Sequence, residues 1–164
     1  MELLVIRHGS AEDAGPGIED SRRALTKAGR KEMKEVSAGL ATIVETLDLI
    51  AASPLVRAQQ TAEIVAKAYD DLSVDTLPAL SPGSDPAGIV DWLRQHTSAS
   101  VAAIVGHEPD LGTLVTWLMT EAGNSRIAFS KGGAALLEFP SRVAAGSATL
   151  EWLLTRSQLR RLGR

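Results

Sequence analysis

Cysteine is absent from the 164 residues, which removes disulfides, thiolate metal sites and a cysteine nucleophile from consideration. Aromatic residues make up only 4%, too few for the stacking platforms that hold single-stranded nucleic acid. Neither sign of charge dominates. Seventeen Lys and Arg face twenty Asp and Glu, a formal net charge of −3, which argues against a nucleic-acid binder that relies on phosphate neutralisation. Long apolar runs are missing as well: the stretch from Met1 to Ile6 meets Arg7 and is too short for a signal peptide or membrane span. A cytoplasmic protein with no membrane partner is therefore expected. The chain also has no P-loop glycine pattern and no carboxylates spaced for magnesium.

What is present fits one domain over residues 1–164, with 45% hydrophobic and 23% charged residues as in ordinary globular proteins. Short apolar runs alternate with segments of helical period, which predicts an α/β fold: a three-layer α/β/α sandwich with a mostly parallel central sheet. Leu3 to Ile6, Leu47 to Ala52 and Val101 to Val105 read as buried central strands, and Ser73 to Leu77 as an edge strand. Ala134 to Phe139 and Ala148 to Leu154 read as a late hairpin or neighbouring pair. Met33, Val36, Leu40 and Ile43 stand at helical spacing, so a helix is expected from Lys27 to about Val44 with Thr26 as its N-cap. Ser53-Pro54 and Asp85-Pro86 look like caps followed by a first-turn proline. Leu111, Leu114, Val115 and Leu118 mark a helix after Glu108-Pro109.

Three polar clusters each follow a predicted strand: Arg7-His8-Gly9, Ser53-Pro54-Leu55-Val56-Arg57 and Gly106-His107-Glu108-Pro109. Ligands of open α/β sheets bind beyond the carboxyl ends of the strands, so the clusters are expected to converge on one pocket. Arg7 and Arg57 supply forked, permanent positive charge suited to an anion with several oxygens, and helix starts add backbone N–H donors. Phosphate is the natural ligand. With the other nucleophiles missing, phosphoryl chemistry falls to a histidine, and His8 fits if one ring nitrogen is held while the other attacks.

These landmarks, together with Leu25-Thr26-Lys27-Ala28-Gly29 and the continuation Ala58-Gln59-Gln60-Thr61, resemble the histidine phosphatase superfamily of phosphoglycerate mutase-like fold, and within it the SixA-type phosphohistidine phosphatases. The resemblance spans almost the whole chain. It implies that His8 is the phosphoacceptor, that Arg7 and Arg57 bind phosphate, and that His107 is the second histidine of the pocket, with no metal or organic cofactor. It also implies Glu108 as proton donor, by analogy with the acid phosphatase branch. Mutase branches carry a specificity insertion after the third strand. Only about two dozen residues separate Val74 from Val101 here, which leaves little room for one. A phosphorylated protein side chain suits such an open pocket better than an enclosed metabolite, and a monomer is expected.

Other readings stand beside these. The enzyme could hydrolyse a small phosphorylated metabolite, or the arginines and histidines could form a noncatalytic phosphate-binding or docking module. Ser53 reads first as a helix cap, with phosphate contact second. Gly9 reads as serving either a close approach to the ligand or a positive-φ turn. His96 reads as a structural helix end, and the basic tail of Arg156, Arg160, Arg161 and Arg164 as a solvated helix end. Trp92, Trp117 and Trp152 read as core residues.

Overall fold

A computed structural model describes residues 1–164. The strands are β1 (Glu2–Arg7), β2 (Leu49–Ala52), β3 (Val74–Thr76), β4 (Val101–Gly106), β5 (Ala134–Glu138) and β6 (Thr149–Leu154). The helices are α1 (Lys27–Ile43), α2 (Val56–Ala66), α3 (Ala87–Gln95), α4 (Asp110–Thr120) and α5 (Arg156–Leu162). One six-stranded sheet runs in the order β3-β2-β4-β1-β5-β6. Its first four members are mutually parallel, while β5 and β6 add antiparallel pairings on the far side of β1. The expected edge strand, the central strands and the late antiparallel pair are all found.

Alternation along β1 divides the interior into two cores, because successive side chains leave a strand on opposite faces. Leu4 and Ile6 join Met33, Val36 and Leu40 of α1, Ala62 and Val65 of α2, and Leu159 of α5 on one face. Leu3 and Val5 join Ile89 and Leu93 of α3 and Leu111, Leu114 and Leu118 of α4 on the other. Central strands coated on both faces need continuous apolar runs, which is why β1 and β4 carry almost no polar residue. The neighbours β1 and β4 thus send their following helices to opposite faces, and a crevice opens at their carboxyl ends.

Helix α1 starts where the sequence predicts: Thr26 Oγ1 accepts a hydrogen bond from Gly29 N at 2.8 Å. Two other helix starts differ from expectation. Helix α2 begins at Val56, without a side-chain cap, leaving Ser53 and Pro54 outside it. In α3, Pro86 occupies the N-cap, and Asp85 Oδ1 receives the Ala87 N–H at 2.9 Å. His96 closes α3 and its Nδ1 donates to Trp92 O at 2.8 Å, the structural role expected of it. The three tryptophans pack on the two cores.

The tail is not a solvated helix end. Leu159 is fully buried, and α5 lies so close to α1 that a Cβ at Gly39 would sit 1.9 Å from Leu159 O. Only glycine permits that approach. Arg156 pairs with Glu32 and Arg160 with Glu35, while Arg161 and Arg164 remain exposed. Between β3 and β4 the chain forms only a short 3-10 turn at Pro78–Leu80 and α3. No helix is long and apolar enough to cross a membrane.

Candidate active site

Parallel pairing of β1 with β4 sets Arg7 against Gly106, so the residues that follow each strand emerge side by side. The His8 and His107 rings lie 5.0 Å apart between centroids, tilted by 56°. Arg7 is held from the antiparallel side, where its Nη1 donates to Phe129 O at 2.6 Å. Gly132 N donates to the carbonyls of Arg7 and His8, which fixes the backbone of the pair. The Nδ1–H of His8 donates to Gly9 O at 2.8 Å. That bond leaves the lone pair on Nε2, the tautomer a nucleophilic imidazole needs.

Gly9 does not serve the positive-φ turn that is one of its two readings from sequence, and it has a packing role that neither reading names. It is absent from the positive-φ residues, and a Cβ there would meet Met33 Cγ at 2.6 Å and Leu25 Cδ2 at 3.3 Å. Glycine is needed so that α1 can pack beneath the loop carrying His8. The Gly9 N–H donates to Thr61 Oγ1 at 3.1 Å, and Thr61 Oγ1 donates in turn to Arg57 O at 2.7 Å. The hydroxyl of Thr61 thereby links the loop after β1 to the first turn of α2.

Arg57 is buried beside the histidines. Its Nε donates to His8 Nε2 at 3.3 Å, its Nη1 to Asp20 O at 2.7 Å and its Nη2 to Asp20 Oδ2 at 3.0 Å. Ser53, expected as a helix cap, is fully buried with Oγ 2.8 Å from His107 Nε2. The same Oγ accepts from Leu55 N at 3.3 Å, so its hydroxyl proton is free to point at Nε2. A hydroxyl proton so directed pairs with the His107 tautomer that carries its proton on Nδ1.

Burial dominates the electrostatics. Desolvation is the largest cause pulling His8 down to about 3, opposed by the Gly9 bond and reinforced by His107, Arg57 and Arg7. Desolvation likewise leads in lowering His107 to about 4, with Arg57 adding and Asp110 and Asp20 opposing. Both rings are therefore neutral at neutral pH. Burial also lowers Arg7, and Glu108 counters it; Asp20 is held down by hydrogen bonds from Arg23, then Arg57. Two buried atoms of the cluster lack any partner: Arg7 Nε and His107 Nδ1. Arg7 Nε is an N–H donor in every state, as is His107 Nδ1 in the tautomer that Ser53 would favour, and an unsatisfied buried donor costs about 1–3 kcal/mol, which an anion's oxygens would relieve.

Arg7, His8, Arg57, His107 and Ser53 thus come together. Glu108 stands at their edge, half-buried, with Oε1 accepting from Phe129 N at 2.6 Å. Through Phe129 it braces the carbonyl that holds Arg7. No three His, Asp or Glu side chains group in metal-ligating geometry. The largest surface cavity, about 740 Å³, lies at the opposite end of the sheet, around Met1, Ser100 and Glu138. Sequence reasoning missed Asp20, the bridging role of Thr61 and the Phe129 carbonyl, because each acts through a contact far along the chain.

Comparison with known proteins agrees with this geometry. The histidine phosphatase superfamily (branch 1) matches residues 3–81. The chain is 31% identical over 121 residues to the phosphohistidine phosphatase SixA of Escherichia coli, covering 72% of this chain and 74% of that one. It is 33% identical over 129 residues to the SixA homolog of Haemophilus influenzae, covering 72% and 77%. The solved structure of the protein histidine phosphatase SixA complexed with tungstate superposes with a TM-score of 0.84 at 25% identity, covering 97% of this chain and 99% of that one. A histidine pair flanked by two arginines at the carboxyl ends of β1 and β4 is thus accompanied by likeness along the chain, and the protein belongs to the histidine phosphatase superfamily.

Proposed function

We propose that this phosphatase hydrolyses phosphohistidine on a protein, without a metal, through a phosphoryl group carried on His8. The observation that carries the reading is the Nδ1–H bond of His8 to Gly9 O at 2.8 Å, which frees Nε2 in a ring that burial keeps neutral. Incoming phosphate draws the Arg57 Nε–H from His8 Nε2 to one of its own oxygens, so binding uncovers the nucleophile. The Nε2 lone pair then forms a bond to phosphorus as the bond to the leaving nitrogen breaks, and a substrate ring protonated on its other nitrogen departs as neutral imidazole. Arg7, Arg57 and the Nδ1–H of His107 stabilise charge on the equatorial oxygens. Water next attacks phosphorus, the P–N bond to His8 breaks, and inorganic phosphate leaves.

The substrate reading rests on the similarity to phosphohistidine phosphatases and on the short β3-to-β4 connection, which builds no covering subdomain. Chemistry points the same way. Imidazole has a conjugate-acid pKa of about 6.5 and needs less help in leaving than an alkoxide. Glu108, with Oε1 given to Phe129, serves as donor through its remaining oxygen where a poor leaving group demands one.

The test combines trapping with a substrate panel. Rapid quenching without acid should reveal an acid-labile phosphoryl group on the chain, absent in His8→Ala, which should still bind phosphate. A phosphorylated histidine domain should turn over faster than sugar phosphates or nucleotides. Preference for those esters would make the protein a small-molecule phosphomonoesterase. Saturable phosphate binding with no adduct and no turnover would make it a binding module.

A further inference from the structure

We propose that the basic groove between α1 and α2 docks an acidic segment of the phosphorylated protein whose phosphohistidine meets His8, an inference that rests on the substrate reading above. The groove, about 500 Å³, is lined by Arg30 and Lys34 of α1 and by Gln60, Glu63, Ile64 and Lys67 along α2 and its end. Three bases against one acid make it positive in a chain whose formal net charge is −3.

The charge on α1 is sorted by face. Its acids Glu32 and Glu35 turn to α5, where Arg156 and Arg160 neutralise them. Arg30, Lys34 and Lys67 are exposed and take part in no ion pair. Their charge exceeds that of Glu63, the one acid lining the groove, and an acidic partner is the complement. The low aromatic content and overall negative charge disfavour a nucleic acid in that place.

Position ties the groove to the site. Both helices pack on one face of the sheet, and both begin at the carboxyl ends of the strands they follow. Gln60 is three residues beyond Arg57, about 4.5 Å along the axis, and the span to Lys67 adds roughly 10 Å. At the upper end, Gln60 Oε1 accepts from Leu25 N at 2.8 Å, and Leu25 borders the Gly9 loop. The Leu25 segment therefore crosses between the site and the groove, and a partner with its phosphorylated residue at His8 would reach the groove by passing over that segment. Exposed charge contacts of this kind act on capture of substrate, through the encounter rate and its salt dependence.

The experiment uses three synthetic phosphohistidine peptides whose flanks of about ten residues, reaching roughly 30 Å when extended, are acidic, neutral or basic. Wild-type protein should show about tenfold higher kcat/KM for the acidic peptide than for the neutral one, through KM, and the advantage should fade with salt. The triple variant Arg30→Glu, Lys34→Glu, Lys67→Glu should lose that advantage while hydrolysing the neutral peptide at the wild-type rate. Equal turnover of all three peptides, or an acidic preference that survives in the variant, overturns the docking inference and leaves the phosphohistidine reading standing. If no peptide turns over while a small phosphate ester does, both readings fall together. Slow turnover of every substrate by a variant with altered circular dichroism sends the test to Lys34→Glu alone, for which a KM unchanged on the acidic peptide is again an overturning result.

Discussion

Arg57 gives its Nε–H to His8 Nε2 across 3.3 Å, so the lone pair proposed to attack phosphorus is covered by one of the groups proposed to bind phosphate. The same guanidinium is aimed by Asp20, through a backbone carbonyl at 2.7 Å and a carboxylate oxygen at 3.0 Å. A planar fork is thus shared among nucleophile, anchor and substrate.

Replacing Arg57 by lysine keeps a positive charge and loses the fork. An ammonium cannot donate to His8 and Asp20 in fixed directions while also holding a phosphate oxygen. Arg57→Lys is expected to lower kcat/KM by about 10²- to 10³-fold, the usual cost of losing one aligned donor to a developing oxyanion. Steady-state kinetics on a phosphohistidine peptide measures it, and a loss under threefold would show that charge alone suffices.

The buried hydroxyl of Ser53 is expected to select the tautomer of His107. Ser53→Ala removes the donor 2.8 Å from Nε2, after which the ring proton no longer has to sit on Nδ1. Stability should fall by about 1–2 kcal/mol from the unpaired groups left behind, and kcat should fall about tenfold with KM little changed. Nitrogen NMR of the His107 ring reads the cause directly: Nδ1–H in the wild type, a mixture in the variant. A wild-type ring protonated on Nε2 contradicts the assignment.

The same serine shows where sequence reading stops. Apolar runs and helical periodicity are local, so β1, β4, α1 and the placement of His8 and His107 after strands could all be read from residues near one another. Ser53-Pro54 carries the local signature of a helix start, yet the side chain serves a histidine 54 residues away. Asp20 reaches Arg57 across 37 positions, and Arg7 reaches Phe129 across 122. No periodicity encodes such pairs. Gly9 was legible as important and not as a packing requirement, because Met33 lies 24 positions beyond it and meets it only in the fold. The tail arginines read as solvated because their acidic partners are on α1, far back in the chain.

Glu108 is expected to separate two substrate classes. Glu108→Gln retains an oxygen able to accept from Phe129 N, so Arg7 stays in place, but an amide does not deliver a proton to a leaving group. Hydrolysis of an alkyl phosphate should slow by roughly tenfold or more, while phosphohistidine hydrolysis should change less than threefold. Glu108→Ala also removes the brace on Phe129 and should slow both reactions. Kinetics of the two variants on both substrates checks this; wild-type rates for Glu108→Gln on the ester would remove Glu108 from the proton-donor role.

Acid stability follows from the two buried histidines. In the unfolded chain each takes up a proton near pH 6.5, whereas folding holds His107 at about 4 and His8 at about 3. Between these limits the unfolded state binds more protons, so stability rises with pH; the contribution is complete above about 6.5 and is lost as pH falls toward the folded values. Each histidine can add a slope of up to about 1.4 kcal/mol per pH unit within its window. Urea unfolding from about pH 7.5 to about pH 4.5 should show stability falling steadily. Substituting His8→Asn and His107→Asn together removes both titrations while keeping polar groups at the site, so the fall should flatten over that range even if the variant begins less stable. Phosphate binding at the proposed site would favour the folded protein only and should raise the whole curve for the wild type at fixed pH. A variant whose stability declines with acid as steeply as the wild type's would place the sensitivity elsewhere and would mean that the two rings are already protonated in the folded enzyme at mildly acidic pH.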